Sequence, residues 1–341
     1  MRLAVGLASA LLGLVASEAE AHACAGCSNP NLPTSRTGPT SLAAGEVFAG
    51  VVVTGTTLRV VHAESCPEIG PICTRREEPA QLHDQRISLV EVRPIVALGA
   101  TSIFGVEAQI PFRVVRTTVT FRRLDGTAFV PDDENIHHRD ETLGGLSDPW
   151  ILGRASGRLG PVQVTGRAGM GVPLGTTEED PFARGRAGLS HQHIQLGAGT
   201  AHGVLALDAR VPAGPFGIGA HGQGIVFTGE NRHRFRPGNR WSGGAWGDVA
   251  AIAPGLRLGL GADVLNEQPE RWGGVVQQDG NVGRTDVLVG GGITFARGAA
   301  SASLSLRTPI WQHFPSTADH RDAGQLTYPA IVAMSAGTTW R

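Results

Sequence analysis

The chain has 341 residues, a formal net charge of −1 at pH 7 and 48 glycines, and all 29 of its basic residues are Arg. Near-neutrality excludes nucleic acid as a partner, because neutralising phosphates requires a basic surface. Past the N-terminus no run of eighteen apolar residues occurs, which excludes a helical membrane span.

In chain order, residues 1–23 carry the parts of a cleaved secretory signal. Arg2 is the positive start, Leu3–Ala16 the apolar stretch, and Ala21-His22-Ala23 a small-x-small cleavage site. Residues 24–44 are polar, rich in Pro, Ser and Thr, and aperiodic, so they read as an extended N-terminal arm with a CxxC pair at Cys24 and Cys27. Three chemistries stay open for that pair: a disulfide (favoured), a soft-metal clasp for Cu(I) or Zn, and a lipid on Cys24. Ala21 stands where a lipobox has Leu, and Ser28 stands where a c-type haem site needs His. Cys66 and Cys73 bracket PEIGPI inside a loop, and in an exported chain they read as a local disulfide.

From residue 45 onward the recurring signal is alternation of apolar and polar residues, cut by Gly, Pro and Asp turns. Val106, Ala108, Ile110, Phe112 and Val114 form one face of a strand, with Glu107, Gln109 and Arg113 on the other. The same pattern recurs at 162–172, 204–211 and 256–264. Twelve strands are expected, at about 46–62, 86–99, 104–122, 147–157, 161–173, 203–212, 215–228, 239–252, 256–266, 284–296, 299–312 and 327–340. Short turns alternate with long polar loops at about 63–85, 123–146, 174–202, 229–238, 267–283 and 313–326. An even strand count with that ordering predicts an all-β fold: an antiparallel transmembrane β-barrel spanning 45–341, with short periplasmic turns and long extracellular loops. Such a chain belongs in the outer membrane of a Gram-negative bacterium, with lipid around it. A soluble β-sandwich is the competing architecture. Ala330, Val332, Met334, Ala336, Thr338 and Trp340 alternate into a terminal aromatic, the form of signal that barrel-insertion machinery reads.

Three short motifs carry a resemblance. Gln195-Leu196-Gly197-Ala198-Gly199-Thr200, Gly144-Gly145-Leu146-Ser147-Asp148-Pro149 and Arg236-Pro237-Gly238 are similar to elements of the outer-membrane transporters named for the meta pathway of phenol degradation. The resemblance runs from about residue 86 to the end and implies a channel-type outer-membrane barrel. The cysteines and the His-rich segments lie outside it.

The polar faces define the expected lumen: Glu107, Gln109, Arg113, Gln163, Arg167, Asp208, Arg210, His221, Asp248, Arg257, Asp263 and Arg307. Their mixed signs predict cross-strand ion pairs that fill or narrow a pore, ahead of a single-sign filter. His191-Gln192-His193 places two imidazoles on one face if extended, and His137-His138 lies in a loop at the same rim. A Cu or Zn ion could be shared by these four, with Cys24 and Cys27 as further ligands. No nucleophile elbow, HExxH helix or phosphate loop is present, and catalysis is not expected. The function expected is passage of a small solute through the barrel, with an envelope metal-binding barrel as the alternative.

Overall fold

A strand with one apolar and one polar face has to hide one of them, and a sheet that closes on itself also removes its unpaired edges. The computed structural model describes residues 41–64, 81–131, 137–277, 280–315 and 326–341 and takes this solution. The signal segment and Cys24, Cys27, Cys66 and Cys73 lie outside the described residues.

The strands are β1 (Val47–Glu64), β2 (Gln81–Gly99), β3 (Phe104–Gln109), β4 (Phe112–Arg123), β5 (Glu141–Leu146), β6 (Trp150–Leu159), β7 (Val162–Gly171), β8 (His202–Ala213) and β9 (Phe216–Phe227). They continue as β10 (Phe235–Arg236), β11 (Arg240–Ala250), β12 (Leu256–Glu267), β13 (Arg271–Trp272), β14 (Arg284–Arg297), β15 (Ala300–His313) and β16 (Ile331–Trp340). Among the described residues one short helix, α1 (Pro181–Arg186), interrupts the loop between β7 and β8.

Each neighbouring pair is antiparallel, and β1 pairs with both β2 and β16: Val47 lies opposite Leu98 on one side and Trp340 on the other. The sheet is therefore a closed barrel. It has twelve positions, because β3 and β4 both pair with β2 and share one, while β5 and β6 pair with β4 and β3 and share the next. Pro111 and Pro149 sit in these two breaks and have no N–H to donate to a ladder. β10 and β13 form a separate small pair above the rim.

Four details differ from the sequence expectation. The first hairpin runs further, to Glu64 opposite Gln81. The third strand is broken at Ile110–Pro111. The stretch expected as loop at 123–146 contributes β5, whose ETLGGL is too short and too rich in glycine to announce itself by alternation. The stretch expected as loop at 174–202 contains α1, whose start the Asp180 carboxylate caps by accepting from the Phe182 and Ala183 N–H groups.

The side chains are distributed inside out. Val106, Ile151, Leu205, Ile218, Leu260 and Leu306 stand exposed on the outer wall, whereas Glu107, Arg167 and Asp208 are buried within. The interior is not polar throughout, and here the expectation needs correction. Toward the long-loop rim Leu58, Val60, Ile87, Leu89, Val115, Leu288 and Ile331 point inward and form an apolar cluster with Ile194 and Leu196 of the β7–β8 loop. At the short-turn end Leu42, preceding β1, packs with Phe48, Val52, Ile95 and Ala97. The β7–β8 loop and Leu42 reach into the two mouths, and inward apolar positions are their counterpart.

Candidate functional site

Between the two apolar zones the barrel is crossed by a chain of ion pairs. Arg113 bonds Glu91 at 2.8 Å, Glu91 bonds Arg93 at 2.5 Å, and Arg93 donates to Gln109 at 3.1 Å. Gln109 donates to Glu107 at 2.7 Å, and Glu107 also receives Arg154 at 3.5 Å and Arg167 at 3.1 Å; Arg167 then reaches Asp208 at 2.5 Å. The Glu107 side chain is 0 % exposed. Alternation along β2, β3, β7 and β8 aims these residues at one another, and the low dielectric strengthens each contact while penalising any group left over. Arg93 also lies over the Trp150 ring, 4.4 Å from its centre.

Two smaller groups stand beside this chain. Asp248 holds Arg210 at 3.2 Å and bonds Arg257 closely. Asp263 holds His221 at 2.9 Å and Arg307 at 3.2 Å. Gln163 is half-buried and lies opposite Arg210 in the β7–β8 register. Sequence reasoning left out Glu91, Arg93 and Arg154, although the alternation in VEVRPIV carries the signal for the first two.

These groups border a cavity of about 500 Å³. One side is charged, with Arg210, His221, Asp248, Arg257, Asp263 and Arg307; the other is a wall of small residues that includes Gly290, Gly292, Ser303, Ser305, Ser335 and Gly337. Ser303 and Ser335 hydroxyls bond at 2.7 Å, so the wall consumes its own polarity. Small side chains on β14, β15 and β16 leave the space that Arg and Glu fill elsewhere in the barrel.

The long-loop mouth is occupied by the β7–β8 loop. Ile194 and Leu196 enter the apolar cluster, and Ala198 joins a second one with Trp150, Leu152, Val204, Ile225 and Phe227. A single carboxylate holds the loop down: Asp148, 4 % exposed, accepts from the Gly175 N–H at 2.9 Å and from the Ala198 N–H at 2.6 Å. Gly197 donates to Thr176 O at 2.9 Å, Thr176 donates to Leu146 O, and Asn231 donates to Ala198 O. Gly175 and Gly197 lie back to back. A Cβ on either would fall 2.6–2.7 Å from the other's Cα, so both positions require glycine.

No protein-family model matches the chain, and no curated protein matches it. Among solved structures it is similar to an outer membrane channel from Pseudomonas putida F1, with 11 % identity over 90 % of this chain and 100 % of that one at a TM-score of 0.59. The chain shares the fold of that channel. Weaker likenesses are a Pseudomonas aeruginosa FadL homologue (11 % identity, 86 % of this chain and 90 % of that one, TM-score 0.38) and the Ralstonia pickettii toluene transporter TbuX (8 %, 88 % and 90 %, TM-score 0.35).

The histidines of the long-loop rim divide into two sets. His137, His191 and His193 converge, their nearest ring nitrogens all within 4.8 Å of one another. His138 stacks on His137, with ring centres 4.2 Å apart, and turns its other side to His83, so it stands behind the cluster.

Glu270, beside the small β10–β13 pair, is buried and accepts from the Trp272 Nε1–H and the Asn281 N–H, both at 3.3 Å. Burial pushes its carboxyl up to about 7, against the pull of those two donors and of Arg240; Glu267 nearby raises it further. A carboxyl whose folded pKa stands above its unfolded 4.5 holds an extra proton in the folded state between the two values. Its contribution is complete below about 4.5 and is lost as pH rises to about 7. Amide exchange in 267–283 is therefore expected to quicken over that window beyond the intrinsic base catalysis. Glu270→Gln, which keeps an acceptor, is expected to flatten the excess; identical profiles in both proteins would remove Glu270 as the cause.

Proposed function

We propose that the chain is an outer-membrane channel that passes a small solute, in the outer membrane of a Gram-negative bacterium, with the long loops facing outward. The observation that carries this reading is the inside-out barrel enclosing a cavity of about 500 Å³ beside a small-residue wall. Soluble proteins seldom expose so wide an apolar surface, and a lipid bilayer is its natural cover. The strands β7 to β9, β11, β12 and β14 to β16 run 10 to 14 residues, enough to cross a bilayer at a tilt. Phe104, Phe216, Phe295 and Trp340 stand exposed near the short-turn rim, with Trp241 and Trp311 toward the other, where interfacial aromatics belong. A cavity of this size suits a small molecule. Two of the three motifs behind the family resemblance, 144–149 and 195–200, meet at Asp148, which supports placing the chain with those transporters.

The test is solute flux. Protein that leaves membranes only with detergent is expected, once in liposomes, to admit small sugars or amino acids in a swelling assay. A variant with Ser303 and Ser335 both changed to Phe fills the wall side of the cavity and is expected to lower that flux several-fold. Flux equal to that of empty liposomes for the native chain would reject the channel reading.

A further inference from the structure

The histidine cluster stands at the long-loop rim, apart from the residues that line the cavity of about 500 Å³. Its members come from two loops that are distant in sequence: His137 precedes β5, while His191 and His193 follow α1. His137 Nε2 and His193 Nε2 approach to 3.1 Å, and a ring nitrogen of His191 completes a triangle with no side longer than 4.8 Å. Two imidazole nitrogens bound to one ion at about 2.1 Å stand roughly 3.4 Å apart across a tetrahedral angle and roughly 3.0 Å across a right angle. The observed 3.1 Å falls between the two.

The surroundings prepare the third ligand. His191 Nδ1 lies 2.9 Å from the Leu189 carbonyl, which can only accept, so Nδ1 carries the proton and Nε2 keeps its lone pair. Arg139 donates to the His191 carbonyl at 2.9 Å and fixes the backbone from the side of the other loop. The Phe182 ring meets His193 edge-on at 4.7 Å, and His138 backs His137, so the rings are held by packing. His191 and His193 are buried whereas His137 is only half-buried, which leaves one side open to an arriving ion. The donor set is three imidazoles with no carboxylate among them, a set suited to Zn²⁺ or Cu²⁺ and poor for Ca²⁺ or Mg²⁺.

We propose that His137, His191 and His193 bind one Zn²⁺ or Cu²⁺ ion at the long-loop rim, with water or a solute in the remaining position. Ion binding does not require solute passage, and it ties the β4–β5 loop to the segment that carries Ile194 and Leu196 in the long-loop mouth.

The experiment uses full-length protein in detergent, stripped with chelator, its free thiols alkylated so that cysteine cannot contribute. Equilibrium dialysis against Zn²⁺ or Cu²⁺, read by elemental mass spectrometry, is expected to give about one ion per chain. His137→Ala and His193→Ala are each expected to weaken binding at least tenfold, in protein whose far-UV circular dichroism and heat-dependent gel mobility match the native chain. His137→Ala guards the test, since that residue is the least buried of the three. The Cu²⁺-loaded native protein is expected to show nitrogen hyperfine splitting from three imidazoles in its electron paramagnetic resonance spectrum. No binding by the native chain, or equal binding by the folded variants, would overturn the site.

Discussion

Asp148→Ala is expected to release the loop that fills the long-loop mouth and to raise channel open probability at least tenfold. The Asp148 carboxylate accepts two N–H groups, one from each arm of that loop, in a place 4 % exposed to solvent. Hydrogen bonds to a charged acceptor contribute about 1.5–3 kcal/mol each, so the docked loop loses roughly 3–6 kcal/mol. Opposing release, Ile194 and Leu196 keep their apolar contacts, each contributing about 1.5–3 kcal/mol. The two terms are similar in size. The loop is therefore expected to leave its seat far more of the time in the variant than in the native chain. Asp148→Asn, which retains one acceptor of neutral charge, should fall between them. Single-channel recording in planar bilayers measures the opening. Trypsin cleavage after Arg184 or Arg186, at α1 within the same loop, measures release without reference to conduction. Unchanged cleavage and unchanged opening together would show that Asp148 does not hold the loop.

The second large effect is on the barrel itself. Glu107→Ala is expected to destabilise it by about 3–5 kcal/mol, the usual range for removing one partner of a buried ion pair. The cause is the pair of guanidiniums that Glu107 neutralises: Arg154 and Arg167 have side chains 2 % and 7 % exposed, and neither can reach bulk water without moving a strand. Arg167 keeps Asp208, so part of its charge stays compensated. Replacing both members, Glu107→Leu with Arg154→Leu, removes charge and counter-charge together and is expected to cost clearly less than the single change. Urea unfolding in detergent micelles, followed by tryptophan fluorescence, reads both variants. A double variant no more stable than Glu107→Ala would mean that packing at these positions, and not the stranded charge, sets the loss.

Strand number and facing were legible because one physical demand repeats in every strand. Along 104–109, Glu107 and Gln109 alternate with Val106 and Ala108, and a wall with water or ion pairs on one side and an apolar medium on the other admits a single orientation. The same regularity puts Arg113, Arg167, Asp208 and Arg257 on the polar face of their strands. It did not reveal β5, whose glycines carry no face, nor α1, whose six residues are too few for a helical period. The expectation of a polar interior failed at Leu58, Ile87 and Leu288. They meet side chains of a folded loop, and alternation cannot distinguish an inward leucine from an outward one.

The loop cluster shows the same boundary from another side. HxH at 191–193 was visible as two imidazoles with a shared direction, and His137 and His138 as neighbours in another loop. Which of the pair joins them depends on how two loops of unrelated sequence dock, and the packing turned His137 inward and His138 toward His83. In the sequence Asp148 stands only as part of a short motif; its two bonds reach 27 and 50 residues along the chain.

By itself the sequence determined the closed antiparallel barrel and its twelve positions, because both follow from a local period of two and from the lengths of the connections. Only the tertiary structure decided how the mouth is filled, which charges pair with which, and which histidines meet. Those outcomes rest on contacts between segments far apart in the chain, where no local pattern constrains the partner.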